Sequence, residues 1–300
     1  MNNRVSIIVP GHNAQSYLMN LFEALVNLEY ENFEVIYVDD ASKDQSLDVA
    51  KRFKHLLPLK ILKLKKRKGA SYARNVGAKL SDPSTKYYAF LDVDTIPTPS
   101  YLRELVDVLE KEEKIAMAQS LILDARSKRI QWGLTKILPY TFAFVPDDKE
   151  LFEEEYYLTA YAVSASAIIR AEIFKMLNGF DVKIAFMGED VDLSLRCWLA
   201  GYKVVMVPRS IVYHFGGSHV IDKSYKEYIN FKHILRTMIK CLEFKRLIPS
   251  ITIKMLYNYS KGKFYYIPSI DWIIDAIKER KNVQRIRKIK EEELLHFLRI

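Results

Sequence analysis

Tyr87-Tyr88-Ala89-Phe90-Leu91-Asp92-Val93-Asp94 is an apolar run that ends on two carboxylates. Its length and aromatic content predict a buried strand. Two acids where such a strand meets solvent are costly unless positive charge sits beside them, and a divalent cation carrying a phosphorylated ligand supplies it. Upstream, residues 5–9, 33–38 and 59–64 are similar short runs followed by polar or Gly/Pro punctuation. Between them Tyr17, Leu18, Leu21, Phe22, Leu25 and Leu28 share one helical face, as do Leu47, Ala50 and Phe53. Ser42-Lys43-Asp44-Gln45 offers capping residues after the second strand, and Pro99 opens a helix over residues 101–111. Strands alternating with helices predict an α/β fold around a mostly parallel sheet, with ligands at the carboxyl ends of the strands.

The unusual polar clusters fall at those ends. Pro10-Gly11-His12-Asn13 follows the first strand, Asp39-Asp40-Ala41-Ser42 the second and Asp92-Val93-Asp94 the fourth. Residues 119–160 are less regular and are expected as loops over one face. A strand over 161–170 leads to Gly179-Phe180-Asp181 and Gly188-Glu189-Asp190, then a helix through Trp198, a strand over 203–207 and His214. Beyond residue 222 Tyr228, Phe231, Leu235, Met238 and Leu242 recur at three and four residues, with Lys232, Arg236 and Lys240 opposite, which predicts helices with a basic outer face.

A chain of 300 residues with 49% apolar content can bury a large core, which excludes disordered and collagen-like classes. Cys197 and Cys241 have no Cys or His at metal-ligand spacing, so neither a disulfide framework nor a zinc site is expected, and a reducing, cytoplasmic setting is. Residues 1–4 lead straight into the first strand, which predicts no secretory signal. No apolar run reaches the ~18 residues that span a bilayer. The net charge of +9 is uneven, with 18 Lys and Arg against 9 Asp and Glu in residues 222–300 and 28 of each sign before them. Three readings fit that excess: a solvated helical face, a membrane surface, or nucleic acid. The functional expectation is peripheral contact with anionic membrane on the inner face of the cell, because Tyr257, Tyr259, Phe264, Tyr265, Tyr266 and Trp272 lie among the lysines. No nucleic-acid-binding module is recognisable.

Each acid has an ordinary reading beside the functional one. Asp39-Asp40 and Asp92-Val93-Asp94 suit a helix cap or a solvated turn. As ligands, Asp40 would accept a hydrogen bond from the N–H of a nucleotide base, and Asp92 with Asp94 would hold Mg2+ or Mn2+ against a diphosphate. Asp190 reads as the N-cap of a helix carrying Val191, Leu193, Leu195 and Trp198, with Asp192 an ordinary first-turn acid. A carboxylate fixed there is also placed to take a proton from an acceptor hydroxyl. A lone His214 after a strand is ordinarily structural.

Taken in order, these pieces resemble the family 2 glycosyltransferases, inverting enzymes of the nucleotide-diphospho-sugar-binding GT-A fold. The resemblance covers residues 5 to roughly 220. It rests on Val5-Ser6-Ile7-Ile8-Val9-Pro10, Val38-Asp39-Asp40-Ala41-Ser42, Ala73-Arg74-Asn75 between Gly69 and Gly77, and Leu91-Asp92-Val93-Asp94. It continues through Gly179-Phe180-Asp181, Gly188-Glu189-Asp190-Val191-Asp192-Leu193, Arg196, Gly201, Pro208 and Val212-Tyr213-His214, with Ala41 where a Gly is usual.

The resemblance implies that Pro10, Asn13, Asp40, Arg74, Asp92 and Glu189 bind the donor, with Asp40 at the base and Arg74 facing the diphosphate or sugar. Asp92, Asp94 and His214 would form the metal-diphosphate site for Mg2+ or Mn2+, and Asp190 would be the general base. It implies a catalytic domain over 1–221, with a nucleotide-sugar half (1–118) and an acceptor half (119–221); the periodicity beyond it adds a basic amphipathic helical region over 222–300. The implied reaction is metal-dependent inverting transfer of one sugar to a hydroxyl of a glycan or polyprenyl-linked glycan. The Gln-x-x-Arg-Trp motif of the processive synthases is absent. One alternative is a nucleotidyltransferase, against which stands the lack of a Gly-rich loop with Arg and Lys after the first strand. Another is a non-catalytic carbohydrate- or membrane-binding relative, against which stand Asp190 and His214.

Overall fold

The computed structural model describes residues 3–138, 143–146, 151–216, 222–260, 262, 269–290 and 292–294; Phe264, Tyr265 and Tyr266 lie outside them. Strands and helices alternate first: β1 (Val5–Gly11), α1 (Gln15–Val26), β2 (Phe33–Asp39), α2 (Ser46–Arg52), β3 (Leu59–Lys63), α3 (Ala70–Leu80) and β4 (Tyr87–Leu91). Then come β5 (Thr95–Pro97), α4 (Tyr101–Lys111), β6 (Ile115–Asp124), β7 (Ile130–Trp132), β8 (Thr135–Leu138), β9 (Ala143–Pro146) and β10 (Tyr157–Leu158). β11 (Ser166–Arg170), α5 (Ala171–Met176), α6 (Glu189–Leu199) and β12 (Lys203–His214) follow, and α7 (Lys223–Cys241), α8 (Phe244–Ser260) and α9 (Ile270–Ile286) come last.

The main sheet runs β10-β12-β6-β11-β4-β1-β2-β3, with β5 beside β12 and β7 beside β6. β3, β2, β1 and β4 are parallel, and β11 lies antiparallel between β4 and β6. Both faces are covered, so the strands are apolar at successive positions instead of alternating. Val5, Ile7 and Val9 of β1 pack with α1, α2 and α4, while Ile8 between them joins the opposite core with α5, α6 and α7. α3 lies so close to β1 that a methyl group on Gly77 would collide with Ile8. Ahead of α2, Asp44 accepts a bond from the Ser46 amide and another from the Gln15 amide, tying two helix starts together.

Several expectations change. Residues 119–160 hold the rest of β6 and four further strands, not only loops. The boundary drawn at 118 falls inside β6, whose pairing with β11 joins both halves into one sheet. The strand expected over 161–170 is confined to β11.

The largest correction concerns the outer basic face of α7. Arg236 and Lys240 point inward and are only 1% and 2% exposed. Arg236 pairs with Asp181 at 2.7 Å and Asp275 at 2.8 Å; Lys240 pairs with Asp181 at 2.6 Å and Asp192 at 2.5 Å. Carboxylates buried on neighbouring elements draw these cations in, because each sign alone would be far too costly to bury. Trp272, half-buried, lies beneath Lys232 and Arg236 as a cation–π platform. Phe231, Leu235 and Met238 of α7, Ala276 and Val283 of α9, and Leu294 share one core with α6 and β11.

Candidate active site

β4 ends at Leu91, and the turn after it is fixed on both sides. The Asp92 amide donates to Ala165 O (3.1 Å), and the Thr95 hydroxyl donates to Asp92 O (2.7 Å). Asp94 is buried and Asp92 half-buried. β12 pairs antiparallel with β5, setting His214 opposite Thr95 and so beside Asp94. His214 Nε2 lies 3.3 Å from Asp94 Oδ1, while Nδ1 lies 2.7 Å from Gln131 Oε1 on β7. Ligand atoms of Asp92, Asp94 and His214 lie within 4.8 Å of one another. Two carboxylates and one imidazole oriented through its other nitrogen form a donor set suited to Mg2+ or Mn2+. Burial works against a charged imidazole, but Asp94, Asp92 and Asp124 outweigh it and hold the His214 pKa above its ordinary value.

Arg74 projects from α3, and its guanidinium is enclosed, only 2% exposed. Expected to face the diphosphate or sugar, it spans two carboxylates, Asp92 at 2.6 Å and Glu189 at 2.7 Å. Its charge is therefore engaged within the protein, where it holds β4 and α6 in register. Arg74 Nε and Glu189 Oε2 are buried without a hydrogen-bond partner among the described residues. Such groups are costly when left unpaired and suit a ligand hydroxyl.

Glu189 and Asp190 open α6, after Gly188 at φ 98°. Ser164, just ahead of β11, ties them to the sheet: its hydroxyl donates to Glu189 (3.1 Å) and its amide to Asp190 (3.4 Å). The Val191 amide also donates to Asp190 (2.8 Å). Burial, reinforced by the Glu189 charge, pushes the Asp190 pKa up to about 7, against the lowering effect of the amides and Arg74. A carboxylate poised there both ionises and accepts protons near neutrality. Asp192, expected as an ordinary first-turn acid, is fully buried between Arg196 and Lys240. α7 braces this stretch at three points, through His233 Nδ1 to Met187 O (2.8 Å), Arg236 to Asp181 and Lys240 to Asp192.

At the other strand ends, Asp40 is buried, with its carboxylate oxygens accepting the amides of Lys68 (2.7 Å) and Gly69 (2.8 Å). Each oxygen keeps a further lone pair. Gly69 takes φ 91°, and a side chain there would meet Ala185 O at 2.8 Å, so only glycine lets this loop close on the segment before α6. Pro10 lies buried in β1. Asn13 is exposed; its side chain accepts the Lys43 amide (2.9 Å), while its own amide donates to the Ser42 hydroxyl (2.9 Å). The structure thus brings Asp92, Asp94, His214, Arg74, Glu189 and Asp190 into one connected cluster, with Asp40, Pro10 and Asn13 along the neighbouring strand ends. Sequence reasoning missed Gln131 and Ser164, which no spacing marks, and the bracing role of His233, Arg236 and Lys240.

Residues 6–177 match the model of the family described as Glycosyl transferase family 2. The glycosyltransferase GlyA of Streptococcus pneumoniae is 24% identical over 217 residues, covering 70% of this chain but 30% of its own length. The aligned segments span 26% to 61% of GlyA and the next three curated relatives, less than two thirds of any. Among solved structures, GalNAc-T7 with UDP, GalNAc and Mn2+ superposes with TM-score 0.70 at 18% identity, covering 94% of this chain and 55% of that one. The mannosyltransferase PcManGT of Pyrobaculum calidifontis with GDP-Man and Mn2+ gives 0.62 at 15% identity, over 95% and 86%. At these identities the likeness is one of fold.

Proposed function

The chain belongs to glycosyl transferase family 2, and from that premise we propose that it transfers one sugar from a nucleotide-diphospho-sugar to a hydroxyl acceptor, with inversion at the anomeric carbon. The observation that carries this reading is the pairing of an Asp92–Asp94–His214 cluster with an Asp190 of pKa about 7, linked through Arg74 and Glu189.

Asp92, Asp94 and His214 would hold a divalent cation, Mg2+ or Mn2+. When bound, it supplies positive charge where negative charge develops on the departing diphosphate. Asp40 lies at the end of β2, where a remaining lone pair can accept a base N–H, beside Pro10 and Asn13. Arg74 holds Asp92 toward the donor and fixes Glu189, and the unpartnered Arg74 Nε and Glu189 Oε2 bind donor-sugar hydroxyls. Asp190 accepts the proton of the acceptor hydroxyl as its oxygen forms the new bond to the anomeric carbon. The bond to the diphosphate oxygen breaks on the opposite face, and this single displacement inverts the centre. The acceptor is a glycan or a polyprenyl-linked glycan presented at an anionic membrane, which the basic 222–300 region contacts.

A thermal-shift screen of UDP-, dTDP- and GDP-sugars with and without Mg2+ or Mn2+ tests the donor half of this reading. A bound donor at a hundredfold its dissociation constant stabilises by about 2.7 kcal/mol. One nucleotide class raising Tm only when the metal is present is the expected result. No rise with any donor and metal would overturn the reading.

A further inference from the structure

We infer that the outward face of α8, together with the exposed stripe at the start of α9, docks on anionic lipid. The inference rests on the membrane contact proposed above and assigns it to particular residues. α8 turns Leu247 and Ser250 inward, where they are buried. Its outward side is not polar, as that of a helix on a soluble surface would be. Ile248, Ile253, Met255, Leu256, Tyr257 and Tyr259 are all exposed, Leu256 to 62%. On α9, Ile270, Ile274 and Ile277 form one stripe at helical spacing, with Ile270 at 74% exposure. Scattered exposed apolar residues need no explanation, but so many on two successive helices mark an interaction surface.

Charge identifies the occupant. Between Glu243 and Asp271 the sequence has no acid; on α8 Lys245 is exposed, whereas Lys254 is half-buried, and that burial pushes its pKa down to about 8. Lys278, Lys281 and Arg285 continue the Ile270–Ile274–Ile277 stripe of α9 at the same three- and four-residue spacing. A second copy seated on this face would bring two cationic surfaces together with no acid between Glu243 and Asp271 to pair them. A lipid surface with anionic headgroups takes both the apolar side chains and the surrounding cations. Among the described residues no helix is long and apolar enough to cross a membrane. α8 therefore lies along the interface, its exposed side chains entering the acyl boundary, with Lys245 and the exposed Lys278, Lys281 and Arg285 of α9 meeting the headgroups.

The test is flotation of the full chain with phosphatidylglycerol-containing vesicles and with all-phosphatidylcholine vesicles. It is run on wild type and on the combined Ile253→Asp, Leu256→Asp and Ile274→Asp variant, with thermal melting and donor hydrolysis measured on the same samples. Wild type should float with the anionic vesicles and detach in high salt, while the variant should lose binding by about tenfold or more with melting and hydrolysis unchanged. Wild type remaining unbound at low salt overturns both this assignment and the broader membrane contact. A variant that floats like wild type overturns the assignment of this face alone. Wild-type dimers in sedimentation velocity that the same substitutions dissociate overturn it in favour of self-association.

Discussion

Replacing Lys240 by methionine (Lys240→Met) keeps a side chain of similar reach and removes one buried charge. Lys240 is 2% exposed and bonds Asp181 and Asp192, the latter fully buried, so the substitution strips one cation from two carboxylates that cannot reach water. Removing one partner of such a pair costs about 3–5 kcal/mol. Arg236 remains with Asp181 and Arg196 with Asp192, which sets the expectation at the lower end, about 3 kcal/mol. For a chain of this size that is a fall in Tm of about 6 °C. Asp181 gives the experiment a signature in pH. Burial would raise its pKa, but Lys240 and Arg236 prevail and hold it well below the usual aspartate range. The stability this contributes is complete above that range and is lost as pH falls from it through the depressed pKa of the folded state, so the Tm gap between wild type and variant should be widest near neutrality and narrow in acid. Adding Asp192→Asn to Lys240→Met should recover part of the loss by removing a carboxylate left under-neutralised. Calorimetric melts from neutral pH downward measure all of this. A Lys240→Met variant melting within ~1 °C of wild type, or a gap that does not narrow in acid, would return Lys240 to a solvated surface and refute the brace between α7 and α6.

The pH dependence of kcat/KM should rise to a plateau with a limb near 7, since only the ionised Asp190 takes a proton and its pKa is pushed up to about 7. Glu189→Gln, which removes the neighbouring negative charge, should move that limb to lower pH; an unmoved limb would assign it to another group. Gln131→Ala should raise the Mn2+ concentration needed for donor-induced stabilisation by about 10–100-fold, because it releases His214 Nδ1; an unchanged metal titration removes Gln131 from the site. Gly77→Ala should cost about 1–3 kcal/mol by forcing α3 off Ile8 of β1, read as a lowered denaturation midpoint.

The half of the fold from β1 to β4 was legible because its signals are local. The apolar run at 87–91 and the acids after it are contiguous, and β4 has those bounds. The closing of His214 on Asp94 was legible only through resemblance to a family, since β5 and β12 meet through tertiary pairing that no spacing encodes. α7 misled for a physical reason. Arg236 and Lys240 stand four residues apart, as on a solvated helix face, yet their partners Asp181 and Asp192 come from the segment entering α6 and from α6 itself. One sequence cannot distinguish a charge facing water from one facing a buried opposite charge. Arg74 illustrates the same limit: its identity was evident, but not that two carboxylates already engage it.

The central claim is that Asp190 accepts the proton of the acceptor hydroxyl while the Asp92–Asp94–His214 cluster holds the donor. The most direct measurement is sugar transfer by Asp190→Asn beside its donor affinity, with metal present. Transfer should fall by about 10²–10⁴-fold while the donor still binds with affinity close to wild type. Transfer at the wild-type rate would show that the base lies elsewhere.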